Sequence, residues 1–188
     1  MKIKWHILGF SLGLLIIEGI WQTSVKAQIA IGGFFIKNEL SNRCLDVSGS
    51  PGINNASRVQ LWDCEESGFS GDGAPTDQKW EFTAGGFLKN VLSNKCLDVV
   101  GDPATANGSS LQLWDCELAA LTINGIRTDQ RWGLIAGGYI TNLLSNKCLD
   151  VAGDPATLNG SSLQLWDCEL TGLSINGFPT DQKWRLVP

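Results

Sequence analysis

Three side chains with distinct chemistry travel together through this sequence, three times over. An aspartate follows a cysteine by two residues, as Asp46, Asp98 and Asp150. A tryptophan precedes a second cysteine by two, as Trp62, Trp114 and Trp166, and a glutamine stands two before each tryptophan, as Gln60, Gln112 and Gln164. An indole offers a broad apolar face. An ionised carboxylate accepts charge-assisted hydrogen bonds from two neighbouring hydroxyls. A primary amide both donates and accepts. The set suits a ligand with one C–H face and a rim of hydroxyls.

The elements that must position these groups follow from a repeat. "LSNRCLDV", "LSNKCLDV" and "LSNKCLDV" start at Leu40, Leu92 and Leu144, "QLWDC" at Gln60, Gln112 and Gln164, and "TDQKW", "TDQRW" and "TDQKW" at Thr76, Thr128 and Thr180, a period of about 52 residues. The repeats run over about 32–84, 85–136 and 137–188. Each contains four short β-type runs and no helical periodicity. In the second they lie near Phe87–Val91, Lys95–Val99, Ser110–Cys116 and Gln130–Ile135, and Gly-Gly, Gly-Asp-Pro and Asn-Gly turn signals separate the early ones. Three units are too few for a propeller. The expected fold is all-β: a β-trefoil of three tandem four-stranded repeats closing one pseudo-threefold barrel.

Strand alternation sorts the faces. Leu45, Val47, Val59 and Leu61 share an aliphatic face suited to the core, which leaves Asp46, Gln60 and Trp62 on the outward face. A buried Trp62 would share its burial with a carboxylate, at a cost. With Cys44 bonded to Cys64, residues opposite each other sum to 108, and Asp46 falls opposite Trp62; the same arithmetic pairs Asp98 with Trp114 and Asp150 with Trp166. Trp80, Trp132 and Trp184, on a face with Phe82, Leu134 and Leu186, are expected in the core.

The N-terminus reads as a secretory signal peptide over residues 1–27: Lys2 and Lys4, an apolar run from Ile7 to Ile17, and Val25-Lys-Ala27 before a cleavage point. That run is shorter than the roughly 20 residues of a membrane span. No membrane insertion is therefore expected after cleavage, and the protein is expected to be secreted, extracellular or periplasmic. Cleavage removes Lys2, Lys4, Lys26 and Glu18 and leaves residues 28–188 with 11 basic and 18 acidic side chains. The acidic balance argues against nucleic acid as a partner. Met1 and His6 leave too, which excludes histidine-dependent catalysis or metal binding. Cys44, Cys64, Cys96, Cys116, Cys148 and Cys168 alternate in spacing between 20 and 32. They read as a disulfide framework, since zinc sites favour much closer pairs. The expected bridges are Cys44–Cys64, Cys96–Cys116 and Cys148–Cys168, and no metal or cofactor is expected. Asn55, Asn107 and Asn159 begin N-glycosylation patterns, but turn chemistry accounts for them.

The whole of residues 28–188 resembles the ricin B-chain family of carbohydrate-binding β-trefoils, marked by a threefold Gln-x-Trp. Here it stands as Gln78-Lys-Trp80, Gln130-Arg-Trp132 and Gln182-Lys-Trp184, each downstream of "CLDV" and "QLWDC". The resemblance implies that Asp46, Asp98 and Asp150 bind sugar hydroxyls, that Trp62, Trp114 and Trp166 stack on the ring, that Gln60, Gln112 and Gln164 assist, and that Gln78, Gln130 and Gln182 also line the site. The family often has Asn before that Gln; this chain has Asp77, Asp129 and Asp181, second carboxylates that would alter the hydroxyl pattern accepted. The segments Glu65–Pro75, Glu117–Arg127 and Glu169–Pro179 are long and should form loops at the site rim. The expected function is that of a secreted, non-enzymatic lectin with up to three shallow sites for galactose-type sugars or polysaccharide. A glycoside hydrolase using Asp46 and Asp77, an accessory binding subunit of such an enzyme, and a β-trefoil protease inhibitor are the alternatives.

Overall fold

The computed structural model describes residues 32–188; the expected signal peptide lies outside the described residues. Twelve short strands form β1 (Phe34–Asn38), β2 (Cys44–Val47), β3 (Val59–Trp62), β4 (Lys79–Phe82), β5 (Leu88–Asn90), β6 (Cys96–Val99), β7 (Leu111–Trp114), β8 (Trp132–Ile135), β9 (Tyr139–Asn142), β10 (Cys148–Val151), β11 (Leu163–Trp166) and β12 (Trp184–Val187). The architecture is a β-trefoil, four strands to each repeat. Every strand is three to five residues long because a turn-forming cluster interrupts the alternation before it extends further.

The repeats interlock through the strands at their boundaries. β12 returns to pair antiparallel with β1, from Phe35↔Val187 to Asn38↔Trp184, and β1 also pairs with β4. Single bridges Phe87↔Arg131 and Tyr139↔Lys183 repeat the β1–β4-type contact, and a cyclic set, Arg58↔Gln112, Ser110↔Gln164 and Gln60↔Ser162, ties the third strands together. The core gathers the aliphatic faces: Leu45, Val47, Val59 and Leu61 with their counterparts in the other repeats, all buried. Trp80, Trp132 and Trp184 are buried with them, and each indole N–H donates to a β-strand carbonyl, Leu45, Leu97 and Leu149, at 3.0–3.1 Å. Their polar atom is thereby satisfied, which lets a tryptophan fill a dry core. Phe82 and Leu186 pack against this core as expected, but Leu134 is 49% exposed. Only the first residue of β8, Trp132, reaches the interior; the strand then turns its remaining residues outward.

The three expected disulfides are present, with Cα–Cα distances of 5.1, 5.1 and 5.0 Å. The strand register differs from the expectation by two residues. Cys44 pairs with Trp62, Leu45 with Leu61 and Asp46 with Gln60, so opposed numbers sum to 106, and the other repeats follow. The bridge is not directly cross-strand: Cys64 lies past the end of β3 and reaches back to Cys44. Asp46 therefore faces Gln60 rather than Trp62. A slip of two leaves every side chain on its predicted face, whereas a slip of one would have reversed them.

Candidate functional site

At the outer face of each β2–β3-type pair lies a cleft. Trp62, Trp114 and Trp166 are 42%, 39% and 38% exposed, although each ends a strand whose other residues are mostly buried. Beside each indole, Asp46, Asp98 or Asp150 forms a nearly buried floor. Its two oxygens are separately engaged. Asp46 Oδ2 accepts from Gln60 Nε2 at 2.8 Å and Oδ1 from Gln78 Nε2 at 3.0 Å; the pairs are 2.7 and 3.0 Å at Asp98 with Gln112 and Gln130, and again at Asp150 with Gln164 and Gln182. Strand geometry supplies the first donor directly across the ladder. The second comes from the segment before β4, β8 or β12.

That second donor does not line the cleft. Gln78, Gln130 and Gln182 are 0% exposed, and their remaining polar groups serve the backbone: Gln78 Nε2 also donates to the Asp63 carbonyl at 3.0 Å, and its Oε1 accepts the Glu65 N–H at 2.9 Å. Gln130 and Gln182 repeat both bonds. These glutamines hold the carboxylate and anchor the chain after "QLWDC". Asp77, Asp129 and Asp181 are nearly buried as well, with Asp181 at the edge of the third cleft. Asp77 is buried and accepts the N–H groups of Val47 at 3.2 Å and Gly52 at 2.6 Å, while Asp129 and Asp181 accept those of Ala104 at 2.9 Å and Ala156 at 3.0 Å. They pin the loop after the second strand of each repeat. That loop needs glycine at Gly101 and Gly153, where φ is +138° and +140° and a Cβ would meet Ala104 or Ala156 within 2.7 Å.

The two carboxyls of each site feel one another's charge. Burial, followed by repulsion from Asp46 and Glu65, pushes Asp77 up to about 7 against the backbone donors that lower it. Asp129 and Asp181 also rise to about 7 for the same reasons, while burial raises Asp98 and Asp150 to about 6 and raises Asp46. A hydrogen bond from the neighbouring carboxyl favours the ionised form of Asp46, Asp98 and Asp150. Burial and the neighbouring carboxylate therefore both disfavour full ionisation of each pair.

Several residues have individual roles that the sequence reading did not assign. Glu65 and Glu169 line their clefts, and one oxygen of Glu117 is buried with no hydrogen-bond partner among the described residues. The signal was present, because Glu follows "QLWDC" in all three repeats. Asn38, Asn90 and Asn142 are fully buried and clamp the segment bearing the second aspartate: their amides donate to the carbonyls of Asp181, Asp77 and Asp129. Asn55, Asn107 and Asn159 donate to Asp115, Asp167 and Asp63 of the next repeat in the cycle at 2.8–2.9 Å, which accounts structurally for the conserved position of the glycosylation-like patterns within the repeat.

The sequence model of the ricin-type beta-trefoil lectin domain matches residues 33–184. Among solved structures, the chain is similar to the C-half of the earthworm R-type lectin, crystallised in complex with GalNAc, at 18% identity and a TM-score of 0.58, over 83% of this chain and 98% of that one. It is similar to the hemolytic lectin CEL-III at 29% identity and a TM-score of 0.57, over 82% of this chain but 30% of that one. It also resembles an exo-beta-1,3-galactanase from Clostridium thermocellum at 25% identity and a TM-score of 0.57, over 84% of this chain and 30% of the enzyme.

Proposed function

The chain belongs to the ricin-type beta-trefoil lectin family, and from that premise we propose that it is a secreted, non-catalytic lectin that holds galactose-type sugars, singly or on a polysaccharide, at three outward-facing sites. One observation carries the reading: in every repeat a part-exposed indole stands beside a nearly buried carboxylate fixed by two glutamine amides. The indole covers the apolar face of a pyranose. Asp46, Asp98 and Asp150 accept sugar hydroxyls on the lone pairs that the glutamines leave free, and their ionised form strengthens those bonds. Gln60, Gln112 and Gln164 orient the carboxylate from the cleft side, while Gln78, Gln130 and Gln182 support it from behind. Three intra-repeat disulfides suit an oxidising compartment, in keeping with export.

A shallow site that covers one sugar face binds weakly, near about 1 mM. Triplication then has a purpose: on a surface bearing many glycans, rebinding raises retention by ~10²–10⁴ without any new contact. Calorimetry with free monosaccharides, beside retention on a polysaccharide matrix, tests this. Asp98→Asn should reduce the sugar stoichiometry by one, and a second such change should collapse matrix retention far beyond additivity. Loss of all binding from one substitution would end the multivalent reading. The similarity to part of a galactanase favours a second reading, in which the chain serves as a binding module beside a glycoside hydrolase. A reducing-sugar assay on the protein alone should then remain blank, while co-purification from the native source would recover an enzyme.

A further inference from the structure

We infer that the second and third sites read an apolar group attached to the bound sugar, an aglycone or an acetamido methyl, through Ile123 and Ile175, and that the first site does not. The inference rests on the sugar-binding reading and deepens it.

The segments between "QLWDC" and "TDQ" are small hairpins rather than loose loops. Leu121 bridges Arg127, and Leu173 bridges Pro179. Their tips are stapled across the cleft: the Asn124 amide donates to Asp102 and the Asn176 amide to Asp154, on the loop that follows the second strand of the repeat. Beside each staple stands an isoleucine, Ile123 or Ile175, 97% and 94% exposed. A lone exposed isoleucine means little. These two occupy equivalent positions, contribute nothing to the core, and line the same clefts as Trp114 and Trp166. The polar floor of Asp98 and Gln112, or Asp150 and Gln164, thus has apolar walls on two sides. A ring stacked on the indole would share its cleft with the isoleucine.

The first repeat lacks this wall. Gly71 stands where the others have isoleucine, and its tip is tied by Asp72 to Ser50 and Ser70 instead. Arg58, where the other repeats have Ser110 and Ser162, donates to Gln60 Oε1 at 2.9 Å.

The test compares methyl with p-nitrophenyl glycosides of galactose, N-acetylgalactosamine, glucose and mannose, using the indole N–H signals of Trp62, Trp114 and Trp166 to read each site separately by NMR. For the sugar that binds, the nitrophenyl glycoside should bind about tenfold tighter than the methyl glycoside at Trp114 and Trp166, the scale of one added apolar contact, and equally at Trp62. Combining Ile123→Ser with Ile175→Ser should bring the ratio at those two sites to about one, with the melting temperature unchanged because both side chains are solvent-exposed. Equal preference at all three sites, or a preference that survives the double substitution, overturns the inference and leaves the lectin reading standing. Failure of every methyl and nitrophenyl glycoside to bind overturns both.

Discussion

Gln130 offers the sharpest separation between support and contact. It is fully buried and makes three hydrogen bonds through its amide: to Asp98 Oδ1 at 3.0 Å, to the Asp115 carbonyl at 3.0 Å, and from the Glu117 N–H at 2.8 Å. The first is charge-assisted, worth about 1.5–3 kcal/mol, and the other two about 0.5–1.5 kcal/mol each. Gln130→Ala removes all three and strands a buried carboxylate oxygen, a carbonyl and an N–H. Water entering the vacated space recovers part of the loss, so the expected destabilisation is about 3–4 kcal/mol. For a domain of this size that lowers Tm by roughly 6–16 °C. Thermal melts by circular dichroism give the number, with Trp114→Ala run beside it. Trp114 is part-exposed and lies outside the core cluster, so its loss should cost less stability than Gln130→Ala while eliminating the second site. Should Gln130→Ala melt like the native protein yet lose the second site, Gln130 would be a ligand contact and the division between floor and support would fail.

Trp132→Ala should destabilise by about 3–5 kcal/mol, as core tryptophan losses do, measured by the same melts. Replacing Cys96 and Cys116 together by serine should cost on the order of 3 kcal/mol, from a loop of 20 residues, read from urea midpoints. Stability should also fall as pH rises from about 4 to about 7: the paired aspartates titrate higher in the folded protein than at their ordinary value near 4, so their contribution is complete below about pH 4 and lost once pH passes the raised values of about 6 and 7. Asp129→Asn should reduce this slope, because it removes one raised carboxyl and its repulsion on Asp98, and melts from pH 4 to 8 would measure it.

The aspartate pairs also show where sequence reading ends. The 52-residue period, the aliphatic alternation of "CLDV" and "VQLW" and the even cysteines determined the trefoil, the bridges and the outward face of Trp62, Trp114 and Trp166, because those properties depend on composition and on a strand period of two. Face survives a register error of two; opposition does not. Thus the pairing of Asp46 with Gln60 instead of Trp62 waited for the ladder itself, set by where Cys64 sits beyond the strand end. The sequence reading placed Gln78 and Asp77 at the sugar, and their buried hydrogen bonds were not legible for a related reason. Both are polar residues one position apart, and nothing local distinguishes an amide that touches solvent from one that faces a buried carboxylate thirty-two residues away. The same holds for the hairpin tips, where Ile123, Ile175 and Gly71 acquire meaning only once side chains distant in sequence are brought to opposite walls of a cleft. Local sequence fixes which side of a strand a residue occupies. Which partner it meets depends on long-range packing, because a buried polar group must find its hydrogen bonds wherever the fold supplies them.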